Sequence, residues 1–517
     1  MRLLLAEEMK QIDTAAIKDF NLPGLLLMEN AGRAVAMVAE RLLADCIEKR
    51  IVIFAGKGNN AGDGFAAART LLNRGADVTV LLLADPASYA GDALQQLEIL
   101  QKCQPLIFTL STDQDWDKAA IVGKMADLII DGLLGTGFHG ELSQSFLRAA
   151  ELMNTFAAPV LAIDIPSGVD PDTGKTAKGA VQADVTVTLA SPKPGLYLYP
   201  GAEHAGEVMV AEIGIPGNLL AAAGSRNELV TPDLIKEKLP HRQRNAHKGA
   251  AGRVAVVAGS PGFTGAAALS SYAAVKSGAG LVTLLTPLSS QNILAAKLTE
   301  VMVHGLIERL PGVLGGGAVG DIRHWTENCD ALAIGPGLGT SEATQEVVRD
   351  ILKNCRIPMV IDADALTALA GHTELLAAMK AEKVITPHPA EMARLVGGTA
   401  AAIDEERLTI ASCYAAQWQA VVVLKGAPTV IATPAGFTYV NSTGNEGMAT
   451  GGCGDVLTGV IVALLGQGLS VEDAAVVGVY LHGLAGDLAA EKGKIGLAAG
   501  QISENLPYAR QKAEEEQ

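Results

Sequence analysis

The chain has 517 residues, of which 49% are hydrophobic, 19% charged and 4% aromatic, a composition that excludes a disordered or fibrous protein and a length that calls for two domains rather than one core. Its formal net charge of −16 repels phosphate backbones and anionic lipid, so nucleic acid and membrane surfaces are excluded as partners. The 6 cysteines form no CxxC pair and no metal-ligand spacing, which fits reduced thiols in a cytoplasmic protein and not a disulfide scaffold.

The opening MRLLLAEEMK has an apolar triplet that meets Glu7 and Glu8 at once, too short for a secretory core. Residues 7–43 carry helical spacing broken by an NLPG turn at 21–24. Alternation then begins: RIVIFAG, DVTVLLL, DLIIDGLLG, PVLAIDIPSG and DVTVTLA are short β-rich runs, most of them separated by helix-length segments such as 62–73 and 143–154. This order predicts an α/β fold with a mostly parallel sheet, a Rossmann-like three-layer domain. Periodicity fades after VAEIGIPG, and a polar HRQRNAHKGAAG precedes a second set of elements, so the domains are expected at 1–217 and 230–517. The second set runs RVAVVAGS, the helix GAAALSSYAAVKSGAG, LVTLLTP, DALAIGPG, PMVIDADAL, KVITPHP and AVVVLKG, with closing helices at 453–465 and 471–489. The halves share a class but no residue-level repeat, so they read as two different α/β domains. No apolar run reaches the ~20 residues of a bilayer span, and a soluble cytoplasmic protein is expected.

The 57 glycines point to several loops in which backbone approaches a ligand closely. In GMATGGCGDVLTG, successive glycines precede a helical run, so free backbone N–H groups converge at a helix N-terminus and cradle an anion. Asp455 sits in the first turn of that run. A carboxylate there repels phosphate, which suggests a proton acceptor for a hydroxyl attacking a phosphoryl group; a capped helix start with an acid matching the dipole is the plainer reading. LKGAPTVIATP places Lys425 and Thr429 at a strand end, where they reach nucleotide phosphate or ribose, or make a hairpin turn. ITPHPAEM puts His388 and Glu391 past another strand end, for ligand or Mg²⁺-water contact or for a structural hydrogen bond. AIGPGLG supplies Gly335, Gly337 and Gly339, and GSPGFTGAAALSS a further glycine-rich turn.

Together HKGAAGRVAVVAGS, GPGLG, DADAL, TPHPAEM, LKGAPTVI and GNEGMATGGCGDVLTG, in that order over residues 231 to about 506, resemble the ribokinase-like NAD(P)H-hydrate dehydratases. The resemblance implies a ribokinase-like α/β domain in which a nucleotide phosphorylates the C6 hydroxyl of hydrated NADH or NADPH (NADHX, NADPHX) and phosphate then leaves. Bacterial relatives use ADP, which would leave AMP and phosphate. On this pattern Asp455 is the base. Gly451, Gly452, Cys453 and Gly454 stabilise the transferring group, Lys425, Gly426, Ala427, Pro428, Thr429 and Gly454 meet ADP, and Ala266, Gly337, Gly339, His388 and Asp455 face the hydrate. Cys453 stands where threonine is more usual, a small change tolerated by a backbone cradle, and Glu446 where proline is usual, which is expected to loosen the loop.

In the first half, IVIFAGKGNNAGDGFAAART fails as a P-loop for want of Lys-Ser/Thr, and passes as a dinucleotide fingerprint only on paper through Gly56, Gly58 and Ala61. Asp63 near the helix start opposes a pyrophosphate, which disfavours a dehydrogenase. Two more strand ends carry acids, Asp131 in IIDGLLGTGFHGE and Asp164 in LAIDIPSGVD, the latter followed by Ser167. Asn60, Asp131 and Ser167 offer oxygen atoms only, suiting a hard, weakly charged cation. With LLLMENAGRAVA these motifs resemble the NAD(P)H-hydrate epimerase family over about residues 4–217. The resemblance implies K⁺ at Asn60, Asp131 and Ser167, and hydrate contacts at Asn59, Asn60, Ala61, Gly62 and Asp63, at Gly135, Thr136, Gly137, Phe138, His139, Gly140 and Glu141, and at Asp164. Ala61 replaces a common glycine, which puts that loop's backbone geometry in question. Asp164 is the expected acid/base for opening and reclosing the C6 centre. The whole then reads as a two-activity repair enzyme with ADP as co-substrate, K⁺ and Mg²⁺ as cofactors, small-molecule partners and a homo-oligomeric state. The rival is a ribokinase-type vitamin-precursor kinase fused to a dinucleotide-binding scaffold domain.

Overall fold

The computed structural model describes residues 1–245 and 247–515. It divides into two compact units, residues 2–227 and the residues from Glu228 onward together with Met1. Among the described residues no helix is long and apolar enough to cross a membrane.

The first unit is built on a seven-stranded sheet. Its strands are β1 (Arg50–Ala55), β2 (Asp77–Leu82), β3 (Leu106–Thr109), β4 (Leu128–Gly132), β5 (Val160–Ile163), β6 (Val185–Leu189) and β7 (Glu207–Ala211). They lie in the order β3-β2-β1-β4-β5-β6-β7, all parallel. Alternate residues face opposite layers. Ile51, Ile53, Val78, Val80, Leu128 and Ile130 join the core under helices Gly24–Leu43 and Asn59–Asn73, whereas Val52, Phe54, Leu81 and Ile129 join that under Trp116, Ala149 and Met153. Burial on both faces explains why the strands read as continuous apolar runs. The order reverses between β1 and β4, which opens a crevice beyond their carboxyl ends.

In the second unit the main sheet contains β8 (Arg253–Val257), β9 (Leu281–Pro287), β10 (Met302–Leu306), β11 (Ala331–Ile334), β12 (Met359–Ile361), β13 (Lys383–Ile385), β14 (Val421–Leu424), β15 (Val430–Ala432) and β16 (Thr438–Val440). They run β16-β15-β14-β13-β12-β11-β8-β9-β10, parallel except for β15, which is antiparallel to both neighbours. Helix Cys453–Gly466 is apolar almost all round and buried along nearly its whole length. It crosses helix Thr264–Lys276 so closely that a Cβ at Gly459 would stand 2.1 Å from the Ser270 carbonyl oxygen. Glycine is required there, and the crossing fixes the height of the helix N-terminus above the sheet.

Candidate active sites

At the first unit's crevice, helix Asn59–Asn73 begins three residues before the expected 62, because Gly58 serves as its N-cap in an extended conformation. Asn59 and Asn60 therefore belong to the first helical turn, and Asp63 is buried one turn inside instead of standing at the mouth. The Asn60 amide Nδ2 donates to the Leu134 carbonyl at 2.9 Å, the Leu134 N–H donates to Ser167 Oγ at 3.0 Å, and Ser167 Oγ donates to Asp131 Oδ1 at 2.7 Å. Asp131 is 0% exposed, and its remaining bonds come from the Ser167 and Leu133 N–H groups. All these donors are neutral. Burial pushes the Asp131 carboxyl up to about 6 against their opposing pull. Asn60, Asp131 and Ser167 thus share one hydrogen-bonded network, and among the described residues no cation pairs with its carboxylate. Of the glycine-rich loop after β4, Phe138 is buried while Gly137, His139, Gly140 and Glu141 are exposed. His139 Nδ1 is tethered to Asp170 Oδ2 at 2.7 Å.

Asp164, at the end of β5, has φ +68°, a left-handed backbone that a non-glycine residue adopts at a cost. Its Oδ1 accepts from the Leu189 N–H at 3.0 Å, from Thr188 Oγ1 at 3.3 Å and from the Lys193 ammonium. Burial, with Asp164 and Asp13 adding repulsion, holds the Asp63 carboxyl well above the usual range despite Lys193. Asp13 is pushed up to about 6, by burial and by Asp164 against Lys193. Sequence reasoning missed Asp13 and Lys193. The Lys in ASPKPG just past β6 was the available signal, but a lone lysine between two prolines carries no motif.

In the second unit Gly452, with φ +95°, caps helix Cys453–Gly466, and Asp455 stands in its first turn. Burial, then Asp362, push Asp455 up to about 7, and Asp364 and Glu391 add to this against the pull of Lys425. The Lys425 ammonium donates to Asp362 Oδ1 at 2.8 Å and lies 3.7 Å from Glu391 Oε2. A Cβ at Gly454 would lie 3.2 Å from that ammonium, so the lysine reaches the glycine cradle. Burial disfavours its charge, but Asp362, Glu391 and Asp455 outweigh burial and raise its pKa. Asp362, 1% exposed, also accepts from Thr458 Oγ1 at 2.7 Å. Asp362 and Thr458 lie within the DADAL and GGCGDVLTG motifs, but the sequence assigned neither of them a role.

Residues 425–429 form the turn between antiparallel β14 and β15, so the hairpin reading is right for the backbone. Arg407 fastens it from below, donating through Nη1 to the Pro428 carbonyl at 2.9 Å. Thr429 Oγ1 donates to the Gly426 carbonyl at 3.1 Å. His388 caps helix Pro389–Val396 through Nδ1, which accepts from the Ala390 and Glu391 N–H groups at 3.1 and 3.3 Å, while the Glu391 carboxylate accepts from the His388 N–H. The structural role therefore coexists with a half-exposed Nε2 edge that lies 3.7 Å from Glu391 Oε1. Gly337, with φ +63°, packs against Phe263 and Ala266, and the Gly339 N–H donates to Asp364 Oδ2 at 2.8 Å. Ala266 lies on the helix that also carries Leu269, which abuts Gly452. Cys453 is buried and in no disulfide, and Glu446 pairs at the surface with Lys494 at 3.0 Å. The second site thus joins a helix N-terminus, a cation and four carboxyl groups, an arrangement suited to moving a phosphoryl group and a proton together.

A family model described as NAD(P)H-hydrate dehydratase matches residues 254–508, and one described as YjeF-related protein N-terminus matches residues 24–195. A bifunctional NAD(P)H-hydrate repair enzyme of Moorella thermoacetica is 46% identical over 518 residues, covering 100% of this chain and 98% of that protein. Counterparts from Thermofilum pendens and Escherichia coli are 39% and 35% identical, covering 98% and 93% of this chain and 96% and 88% of their own lengths. Among solved structures, an ADP/ATP-dependent NAD(P)H-hydrate dehydratase from Bacillus subtilis co-crystallized with ATP/Mg²⁺ is 31% identical, with a TM-score of 0.48, covering 55% of this chain and 98% of that one.

Proposed function

The chain belongs to the family of bifunctional NAD(P)H-hydrate repair enzymes, and from that premise we propose how its two sites divide the work. The first unit interconverts the R and S hydrates at C6, and the second dehydrates the S form with ADP, releasing AMP and phosphate. The observation that carries this reading is Asp455: a carboxyl with a pKa of about 7, in the first turn of a glycine-capped helix beside a lysine. It takes the proton of the C6 hydroxyl as that oxygen attacks the β-phosphoryl group of ADP. The N–H groups of Gly451, Gly452, Cys453 and Gly454 and the Lys425 ammonium hold the charge of the migrating group. The C6–O bond then breaks, the N1 electron pair forms a C6–N1 double bond, and loss of a C5 proton restores the dihydronicotinamide. Lys425 through Thr429 hold the nucleotide, and Ala266, Gly337, Gly339 and His388 hold the hydrate. Asp362 and Glu391 are occupied by Lys425, so Mg²⁺ enters on the nucleotide phosphates and not in a preformed protein cage.

In the first unit, the uncompensated Asp131 carboxylate with Asn60 and Ser167 fits K⁺, which would supply the missing positive charge there. Residues 59–63 and 135–141 contact the hydrate. Asp164 takes the C6 hydroxyl proton, the C6–N1 bond opens to an aldehyde, and N1 closes again on the other face. Asp63, whose carboxyl burial holds well above the usual range, is the neighbouring acid assigned to proton exchange with N1. Both activities are tested by giving the purified protein an equal mixture of hydrate epimers with ADP, Mg²⁺ and K⁺ and following dihydronicotinamide absorbance. Complete recovery is expected. A plateau at half shows dehydration without epimerisation, and a stable phosphorylated product sinks the dehydratase reading.

A further inference from the structure

The groups around Asp164 are arranged asymmetrically, and the asymmetry has a chemical use. Every hydrogen bond to its carboxylate goes to Oδ1, from the Leu189 N–H, from Thr188 Oγ1 and from Lys193 Nζ, and none among the described residues goes to Oδ2. Lys193, 1% exposed, donates to Asp164, to Thr188 Oγ1 at 3.2 Å and to the Leu189 carbonyl at 3.1 Å. Those three acceptors take all three ammonium protons, so the lysine has no proton left to offer a substrate. Three acceptors restrain the buried ammonium, and its bond to Oδ1 in turn restrains rotation of the Asp164 side chain. Asp13 on helix Ala6–Lys18 and Asp63 on helix Asn59–Asn73 face the same charge but make no hydrogen bond to it among the described residues.

We infer that Lys193 is a positioning residue for epimerisation: it pins Oδ1 of Asp164 so that Oδ2 alone is presented to the C6 hydroxyl. This rests on the epimerase reading of the first unit. Oδ2 takes the hydroxyl proton, the C6–O bond becomes a carbonyl as the C6–N1 bond breaks, and the electron pair passes to N1, which takes a proton from Asp63. Rotation about C5–C6 and reversal of the same transfers close the ring on the opposite face. A carboxylate free to turn would present either oxygen in many orientations, and misplacement of about 1 Å costs on the order of 100-fold in rate.

The test uses the full chain and pure R hydrate, with a separate dehydratase added in excess so that epimerisation is rate-limiting. Lys193→Met is expected to lower the epimerisation kcat on the order of 100-fold while KM changes less than about threefold, since the lysine touches no substrate. Lys193→Ala with added methylammonium is expected to recover at least a tenfold part of the loss, which a merely structural lysine would not allow. If Lys193→Met melts early, Thr188→Val is read instead, and a threefold or greater fall in kcat at unchanged KM supports the inference. A kcat within threefold of wild type in either variant, or a loss carried wholly by KM, overturns it. A wild-type chain that fails to convert R hydrate at all would instead overturn the epimerase reading.

Discussion

On the proposed mechanism Asp455 is under two opposing demands, since it must be ionised to accept a proton yet sits among Asp362, Asp364 and Glu391. Its folded pKa of about 7 lies above the ordinary 3.8. Between those values the folded chain holds a proton that the unfolded chain has lost, so this group's contribution to stability falls as pH rises from about 4 to about 7. Asp455→Asn removes the charge and should flatten that slope, raising stability at pH 8 by at most about 4 kcal/mol at roughly 1.36 kcal/mol per unit. Thermal melts across pH 5–8 check this. The same replacement should lower dehydration kcat on the order of 10²- to 10⁴-fold, and the wild-type kcat/KM should show an acid limb near pH 7. Asp164→Asn should stop R-to-S conversion while leaving dehydration of the S form intact; retained epimerisation removes Asp164 from the mechanism. These two acids were legible in the sequence because each stands against glycine-rich text at a strand or helix end. The pairings of Asp362, inside the DADAL motif, and of Lys193 were not, because a partner 63 or 29 residues away becomes a neighbour only once parallel strands are laid side by side.

The distance between helices Cys453–Gly466 and Thr264–Lys276 sets where the cradle stands relative to Ala266. A Cβ at Gly459 would meet Ser270 O at 2.1 Å, Ala273 Cβ at 2.8 Å and Ala274 N at 3.0 Å. Two of these are backbone atoms and cannot step aside. Gly459→Ala is therefore expected to force the helices apart, destabilising the second unit by about 1 to 3 kcal/mol and weakening nucleotide binding. Epimerisation, carried by the other unit, should persist; equal loss of both activities would contradict the assignment. Apolar runs buried on both faces made the inner strands readable, whereas several outer ones escaped. Leu106–Thr109 is only partly buried at the sheet edge, and Met302–Leu306 includes a histidine and a glycine at the opposite edge of its own sheet. Such strands are held by ladder pairing with a neighbour more than by their own pattern. The start of helix Asn59–Asn73 was misread for a related reason. Two asparagines and a glycine favour turns, and burial of the residues after them overrides that preference.

Over the whole molecule, a net charge of −16 opposes the approach of both co-substrates, a dinucleotide and a nucleoside diphosphate. Capture must then come from short-range groups: the glycine N–H cradle, the Lys425 ammonium and bound cations. Those act within a few ångströms, the Lys425 ammonium from a largely buried position, and salt screens them weakly. The opposing field acts over the Debye length, which shrinks from about 30 Å at 0.01 M to about 8 Å at 0.15 M ionic strength. Adding an inert salt should thus remove repulsion faster than attraction. With K⁺ and Mg²⁺ held constant and tetramethylammonium chloride raised over that range, KM for hydrate and for ADP should fall while kcat stays unchanged. A rise in KM would mean that diffuse basic attraction dominates, contrary to the charge of the chain and to the local character of both sites.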